Sequence, residues 1–224
     1  MMDIRPIAYY KGQIGTKFGV PRQSGLADAL RGTIIFEPEY RREEALRGIL
    51  YDGGFDWIWI IWGFSLNHPS SGDWQPTVRP PRLGGNASMG VFATRSPFRP
   101  NPLGLSAVHV EKIENSEITV SGADLADGTP IYDIKPYIVY ADCHPEASKG
   151  FAGTSPEPTL EVLFETELPF GAEDRLALKQ ILSLDPRPAY QDNNAKTYGL
   201  IFEGYDIKFR VDNDKLIVTD YDRH

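Results

Sequence analysis

Runs of β-branched and aromatic residues, some alternating with polar positions and some continuous, follow one another between closely spaced turn residues, so most of the chain reads as strand. The expected strands are "RGTIIFEP" at residues 31 to 38, "FDWIWIIWGF" from Phe55, "GVFA" at 90 to 93 and "SAVHVEKI" at 106 to 113. "ENSEITVSG" continues the last of these. Glu114 and Asn115 stand between two alternating runs, the pattern of a tight antiparallel hairpin. One helix is expected in this half, at "PEYRREEALRGI", where acidic residues lead and Gly48 follows. Trp57, Trp59 and Trp62 are assigned to the core.

The pattern changes at about residues 144 to 158, a stretch rich in Pro, Gly, Ser and Ala, and a domain boundary is expected there. Beyond it come a strand at "TLEVLFE", an amphipathic helix at "AEDRLALKQILS" and a hairpin in "GYDIKFRVDNDKLIVTD" turned at Asp212-Asn213-Asp214. The expected organisation is a mainly β domain over residues 1–145 and a small α+β domain over 158–224, α+β overall.

Hydrophobic residues make up 41% and charged residues 24% of the 224, the composition of a folded globular protein. Cys143, the single cysteine, rules out an intrachain disulfide and any multi-cysteine zinc site, and the four histidines lack ligand spacing, so no metal is expected. "MMDIRPIAYYKGQIG" has charge and proline where a secretory signal needs an apolar run, so export is not expected, and the apolar stretch from Phe55 to Leu66 is shorter than the ~20 residues of a membrane span. A cytoplasmic protein with no membrane association is expected.

Charge adds one anomaly. The chain carries −8 formally, yet no Asp or Glu occurs from Trp74 to Val110, while Arg79, Arg82, Arg95 and Arg99 do. Four arginines without local acidic partners imply distant ion pairs or an anionic ligand, since the guanidinium suits planar recognition of carboxylate or phosphate. A Gly/Pro loop can also be plain surface. Its length favours function, and Val91, Phe92 and Leu103 are expected to anchor it. "RLGGNASMG" fits neither a P-loop nor a dinucleotide-binding fingerprint. In "ADLADGTPIYDIKPYIVYAD" a turn at Asp127-Gly128 leads into a strand, and Lys135 before Pro136 marks an edge or interruption where side chains can be aimed into a cleft.

Together "KFGVPRQ", "WQPTVRPPRLGGNASMGVFATRSPFRPNPLGLS" and "DLADGTPIYDIKPYIVYAD" resemble the TsaA-like family, specifically the TrmO-type tRNA methyltransferases, and "DPRPAY" with "KTYGLIF" resembles the C-terminal domain of its longer bacterial members. The resemblance implies a single-sheeted β-barrel that uses S-adenosylmethionine to methylate the N6 nitrogen of threonylcarbamoyladenosine beside the tRNA anticodon. It also implies a homodimer with the cofactor near the subunit interface, and a C-terminal domain that binds tRNA or is accessory.

Carried over by motif, the cofactor contacts are Pro21, Arg22, Gln23, Arg95, Leu105, Asp124, Leu125, Ala126 and Asp127. Family members often have a histidine after the phenylalanine of "WGF"; here Ser65 stands there, and Leu66 or Asn67 is expected to supply the contact through backbone groups. Arg22 or Arg95 is expected to take the cofactor carboxylate, Leu105 and Leu125 to flank its adenine, and the other arginines to meet tRNA phosphate. Asp133 is the expected proton acceptor, and Lys135 or Tyr137 steadies charge on the substrate carbonyl. Two rivals stand beside this reading: a non-catalytic module that binds S-adenosylmethionine and RNA, and a hydrolase built on Asp133, Lys135 and Tyr137.

Overall fold

The computed structural model describes residues 3–50, 53–66, 74–80, 86–153, 156–187 and 196–224. Its strands and helices, in chain order, begin with β1 (Ala8–Gly12), β2 (Arg31–Phe36), β3 (Trp57–Gly63), β4 (Thr77–Val78) and β5 (Met89–Gly90). Next come β6 (Leu103–Glu114), β7 (Glu117–Ser121), β8 (Thr129–Pro136) and the one-turn helix α1 (Val139–Asp142). The C-terminal part has β9 (Glu161–Phe164), α2 (Ala172–Ser183), β10 (Tyr198–Phe202), β11 (Tyr205–Asp212) and β12 (Lys215–Arg223).

Six strands close a barrel in the order β1-β2-β7-β6-β3-β8. Alternation decides what fills it. Ile34 of β2, Ile58 and Ile60 of β3, Val108 and Val110 of β6, and Ile118 and Val120 of β7 all point inward and are fully buried. A barrel this small is filled by side chains. Tyr10 takes a large share of the interior: a Cβ on Gly32 would lie 2.2 Å from its ring, so the neighbouring strand carries glycine there. The β6–β7 hairpin turns at Asn115 and Ser116, both left-handed, with φ of 52° and 58°, as a two-residue type I′ turn requires.

A bulge in the β3–β8 pairing matters for the site. Ile61 faces Asp133 but Trp62 faces Ile131, so Tyr132 is an extra residue and the in-out phase of β8 changes there. Ile131 and Ile134 thus both turn to the core, while Asp133 and Lys135 stand on the outer face opposite Ile61 and Trp59. Pro136 occupies the last position of the strand, where a missing N–H costs little.

The second core belongs to the sheet β10-β11-β12-β9, on which α2 packs Ala177, Leu178, Ile181 and Leu182. Glu173 and Asp174 in the first turn of α2 suit the positive end of its dipole. Ile14, Ala27 and Leu30, which lie between β1 and β2 in sequence, are buried in this second core.

Three expectations from the sequence are corrected. "GVFA" is not a strand: Gly90 ends β5 and Val91–Ala93 form a 3-10 turn in which Val91 is buried and Phe92, 72% exposed, stacks on Trp74 instead of anchoring the loop in the core. Nor does "PEYRREEALRGI" form a helix beyond one 3-10 turn at Glu43–Leu46. Only Leu46 there is buried, so no apolar stripe supports a longer helix, and Arg41 pairs with Glu117 of the barrel. Trp57 is 41% exposed and Trp59 only half-buried, because the alternation that buries Ile58, Ile60 and Trp62 turns both outward.

Candidate functional site

After β7 the chain crosses one end of the barrel as "DLADG". Asp127 ties it to β1, its carboxylate accepting the Gly12 N–H at 3.0 Å and its own N–H donating to the Ile14 carbonyl at 2.8 Å. Asp124 points elsewhere. Its half-buried carboxylate accepts a hydrogen bond from the Ser106 hydroxyl, and the Ser24 N–H lies on the same side. Ser106 is itself fixed by the Trp62 indole N–H at 2.9 Å. Desolvation dominates this environment and raises the Asp124 carboxyl pKa, against the opposing pull of Ser106, Ser24 and the nearby Arg95.

Arg95 is exposed and donates to the Gln23 side-chain oxygen; Gln23 in turn donates to the Arg22 carbonyl at 2.5 Å. Pro21 is buried and Arg22 exposed. Two distant segments thereby meet. The Gly25 N–H donates to the Gly122 carbonyl at 2.8 Å, closing the Pro21–Gly25 segment against the chain that leads into Asp124. On the outer face of β6, Leu105 is 52% exposed, and the Phe64 N–H donates to the Pro102 carbonyl at 3.0 Å, holding the Phe64–Leu66 segment beside the start of that strand.

This surface offers a guanidinium with donors to spare, a carboxylate and exposed leucines, which match the carboxylate, the cationic groups and the flat ring of an amino-acid nucleotide. Arg79, Arg95 and Arg99 reach no described carboxylate within ion-pair distance, although Arg99 donates to the Thr94 carbonyl at 3.1 Å. Arg82 and Asn67 lie outside the described residues.

A second cluster lies on the outer wall. Lys135 Nζ is 2.8 Å from Asp133, and the Asp133 carboxylate also accepts the Ile134 N–H at 2.9 Å. Tyr137 packs on Trp59, with ring centroids 5.4 Å apart. Its phenol is pushed to higher pKa by desolvation and then by the neighbouring Cys143. Leu105, Ile61 and Asp133 are partners across β6, β3 and β8, so the pair stands two strands, about 10 Å, from Leu105. A cavity of about 260 Å³, lined by Trp57, His109, Glu111, Ser121, Asp28, Gly25 and Gly122, contains none of the cofactor or catalytic residues expected from sequence.

Comparison with known proteins bears on what these clusters do. The family model for the tRNA-methyltransferase O N-terminal domain matches residues 9–143, and that for the TrmO C-terminal domain matches 159–224. The chain belongs to the tRNA-methyltransferase O family. It is 41% identical over 209 residues to the tRNA (adenine(37)-N6)-methyltransferase of Escherichia coli, covering 87% of each chain. It is 38% identical over 227 residues to a putative S-adenosylmethionine-dependent methyltransferase of Pseudomonas aeruginosa, covering 96% of this chain and 95% of that one. A crystal structure of TrmO from Pseudomonas aeruginosa superposes with a TM-score of 0.79 at 30% identity, over 100% of this chain and 98% of that one.

In this TrmO-family chain the expected cofactor residues Gln23, Arg95 and Asp124 converge, with Arg22 alongside. Leu125 corrects its expected role: at 2% exposure its side chain plugs the barrel core and cannot flank a ligand's ring. Ala126 is buried as well, so both can meet a ligand only through backbone groups. Sequence reasoning missed Ser24 and Ser106. A signal for Ser106 was present, since a serine stands in the inward phase of "LGLSAVHV" where its neighbours are Val108 and Val110. No helix among the described residues is long and apolar enough to cross a membrane.

Proposed function

We infer that this protein transfers a methyl group from S-adenosylmethionine to the N6 nitrogen of the adenine at position 37 of tRNA, the activity named for its Escherichia coli relative, and that this nitrogen already carries a threonylcarbamoyl group. The observation that carries the reading is the meeting of Gln23, Arg95 and Asp124 at the barrel end. S-adenosylmethionine supplies a methyl group on a sulfonium, already activated for displacement. Arg95 and Arg22 hold its carboxylate, Asp124 accepts from its cationic or hydroxyl groups, and Leu105 with Leu66 covers the adenine.

A threonylcarbamoylated N6 is bonded to a carbonyl, so its lone pair is delocalised and its proton must leave as the new bond forms. Asp133 accepts that proton. Lys135, released from Asp133 as the nucleoside docks, steadies the charge on the carbonyl oxygen, and the Tyr137 phenol stays protonated at neutral pH as a second donor. Arg79 and Arg99 meet tRNA phosphates. The exposed Leu103, Leu105, Phe92, Phe98 and Trp74 support a homodimer, because a monomer would leave these apolar side chains in water.

Incubation with isotopically labelled methyl donor and tRNA, followed by nucleoside mass spectrometry, tests the reading. Label is expected on threonylcarbamoyladenosine and is expected to disappear with tRNA lacking that group. Binding of donor and tRNA without transfer would favour a regulatory module, and label on unmodified adenosine would overturn the choice of substrate.

A further inference from the structure

We propose that the C-terminal unit is a positioning element for the methyl-donor site: it holds both flanks of the Pro21-Arg22-Gln23 segment, and Gln180 of α2 is the residue that fixes the downstream flank. The proposal rests on the reading of that segment as a cofactor wall.

Residues 13–30 connect two barrel strands, yet most of their anchoring comes from the other core. On the upstream flank, Ile14 bridges antiparallel to Phe202 at the edge strand β10. The Glu203 N–H donates to the Gln13 carbonyl at 2.8 Å and the Gly15 N–H to the Ile201 carbonyl at 3.3 Å, so this flank extends the C-terminal sheet. The Phe18 ring stacks on Phe209, with centroids 6.3 Å apart. Gln13 faces both ways, its oxygen accepting the Arg31 N–H at 2.9 Å and its amide donating to Asp174 of α2 at 2.8 Å.

On the downstream flank, Ala27 and Leu30 are buried with α2. Gln180 accepts the Ala29 N–H at 2.9 Å and donates to the Asp28 carboxylate at 2.5 Å. Between these flanks Gln23 and Ser24 turn to the barrel, where Arg95 and Asp124 wait. The segment is therefore one wall of the donor site, and its outer side is built by the C-terminal unit.

Charge agrees with this role. Residues 158–224 contain thirteen acidic and eight basic residues, a net of −5 within a chain of −8, which makes a poor platform for a polyphosphate. Arg79, Arg95 and Arg99 all belong to the barrel part of the chain.

Gln180→Glu in the full chain keeps the acceptor for the Ala29 N–H and sets a like charge against Asp28. The double variant Gln180→Glu with Asp28→Asn restores a donor-acceptor pair with its polarity reversed. Calorimetry with S-adenosylmethionine is expected to show about tenfold weaker binding for Gln180→Glu, return to within about twofold of the parent in the double variant, and nearly unchanged kcat at saturating donor. Hydrogen exchange of residues 25–31 is expected to rise and fall in step. A purely structural role would lower Tm and leave donor affinity alone. Faster exchange with unchanged affinity overturns the proposal. Should exchange not respond, Gln13→Ala combined with Phe18→Ala loosens the other flank, and unchanged affinity there overturns it equally. Arg22→Ala and Arg95→Ala run alongside: if neither weakens donor binding, the cofactor reading of the segment fails, whereas weakening in these two but not in Gln180→Glu rejects only the present inference.

Discussion

The barrel end and the outer wall each present a carboxylate near a cation, but the two are built differently. Asp124 is half-buried and held by Ser106 in the field of Arg95, with Trp62 fixing Ser106 from behind. Among the described residues Asp133 has one side-chain partner, Lys135, and both are substantially exposed. Exposed ion pairs of this kind contribute little to stability and are easily exchanged for new partners. The first arrangement suits a small ligand that must be bound in one pose. The second suits a pair that a large substrate can open, each member then serving a different atom of it.

That contrast can be broken by substitution. The largest effect is expected at the wall: Asp133→Asn should lower kcat roughly 100-fold or more, the range of a lost general base, with donor affinity unchanged. Stopped-assay methyl transfer together with calorimetry checks it. Next, Arg95→Ala should weaken S-adenosylmethionine binding roughly 10- to 30-fold, the loss of charge-assisted hydrogen bonds, while tRNA binding changes little.

Ser106→Ala should cost about 1 kcal/mol of stability in denaturant unfolding, because it strands the Trp62 indole N–H and removes a bond to Asp124. Smallest is Asp124→Asn. Asp124 has a folded pKa raised above the ordinary 3.8, so its favourable contribution is whole below the unfolded value and is lost as pH rises through the folded one. The Asn variant should therefore melt slightly above the parent at pH 7, with the gap closing as pH falls toward 4, while binding the donor less well.

How much of this was legible in the sequence follows from which signals are local. The strands β2, β3 and β6 and the helix α2 could be read because each buries one face and carries its period along several residues. Short pieces such as Glu43–Leu46 and Val91–Ala93 have no period to read. The motifs located Arg95, Gln23 and the "DLADG" turn, but not the orientation of Leu125, which the turn folds into the core. Asp133 and Lys135 reach the outer face through a one-residue bulge that depends on the pairing of β8 with β3. Least visible was the attachment of residues 13–30 to the C-terminal core, because contacts such as Gln13 with Asp174 span more than 150 positions and leave no local trace.

The most direct test of the division between the two clusters is calorimetric titration of S-adenosylmethionine into the tRNA-free protein and its Arg95→Ala and Asp133→Asn variants. One donor per chain for the parent, severe weakening in Arg95→Ala and parent-like binding in Asp133→Asn are predicted. Uptake that survives Arg95→Ala but is lost in Asp133→Asn would place the donor on the outer wall and contradict the account.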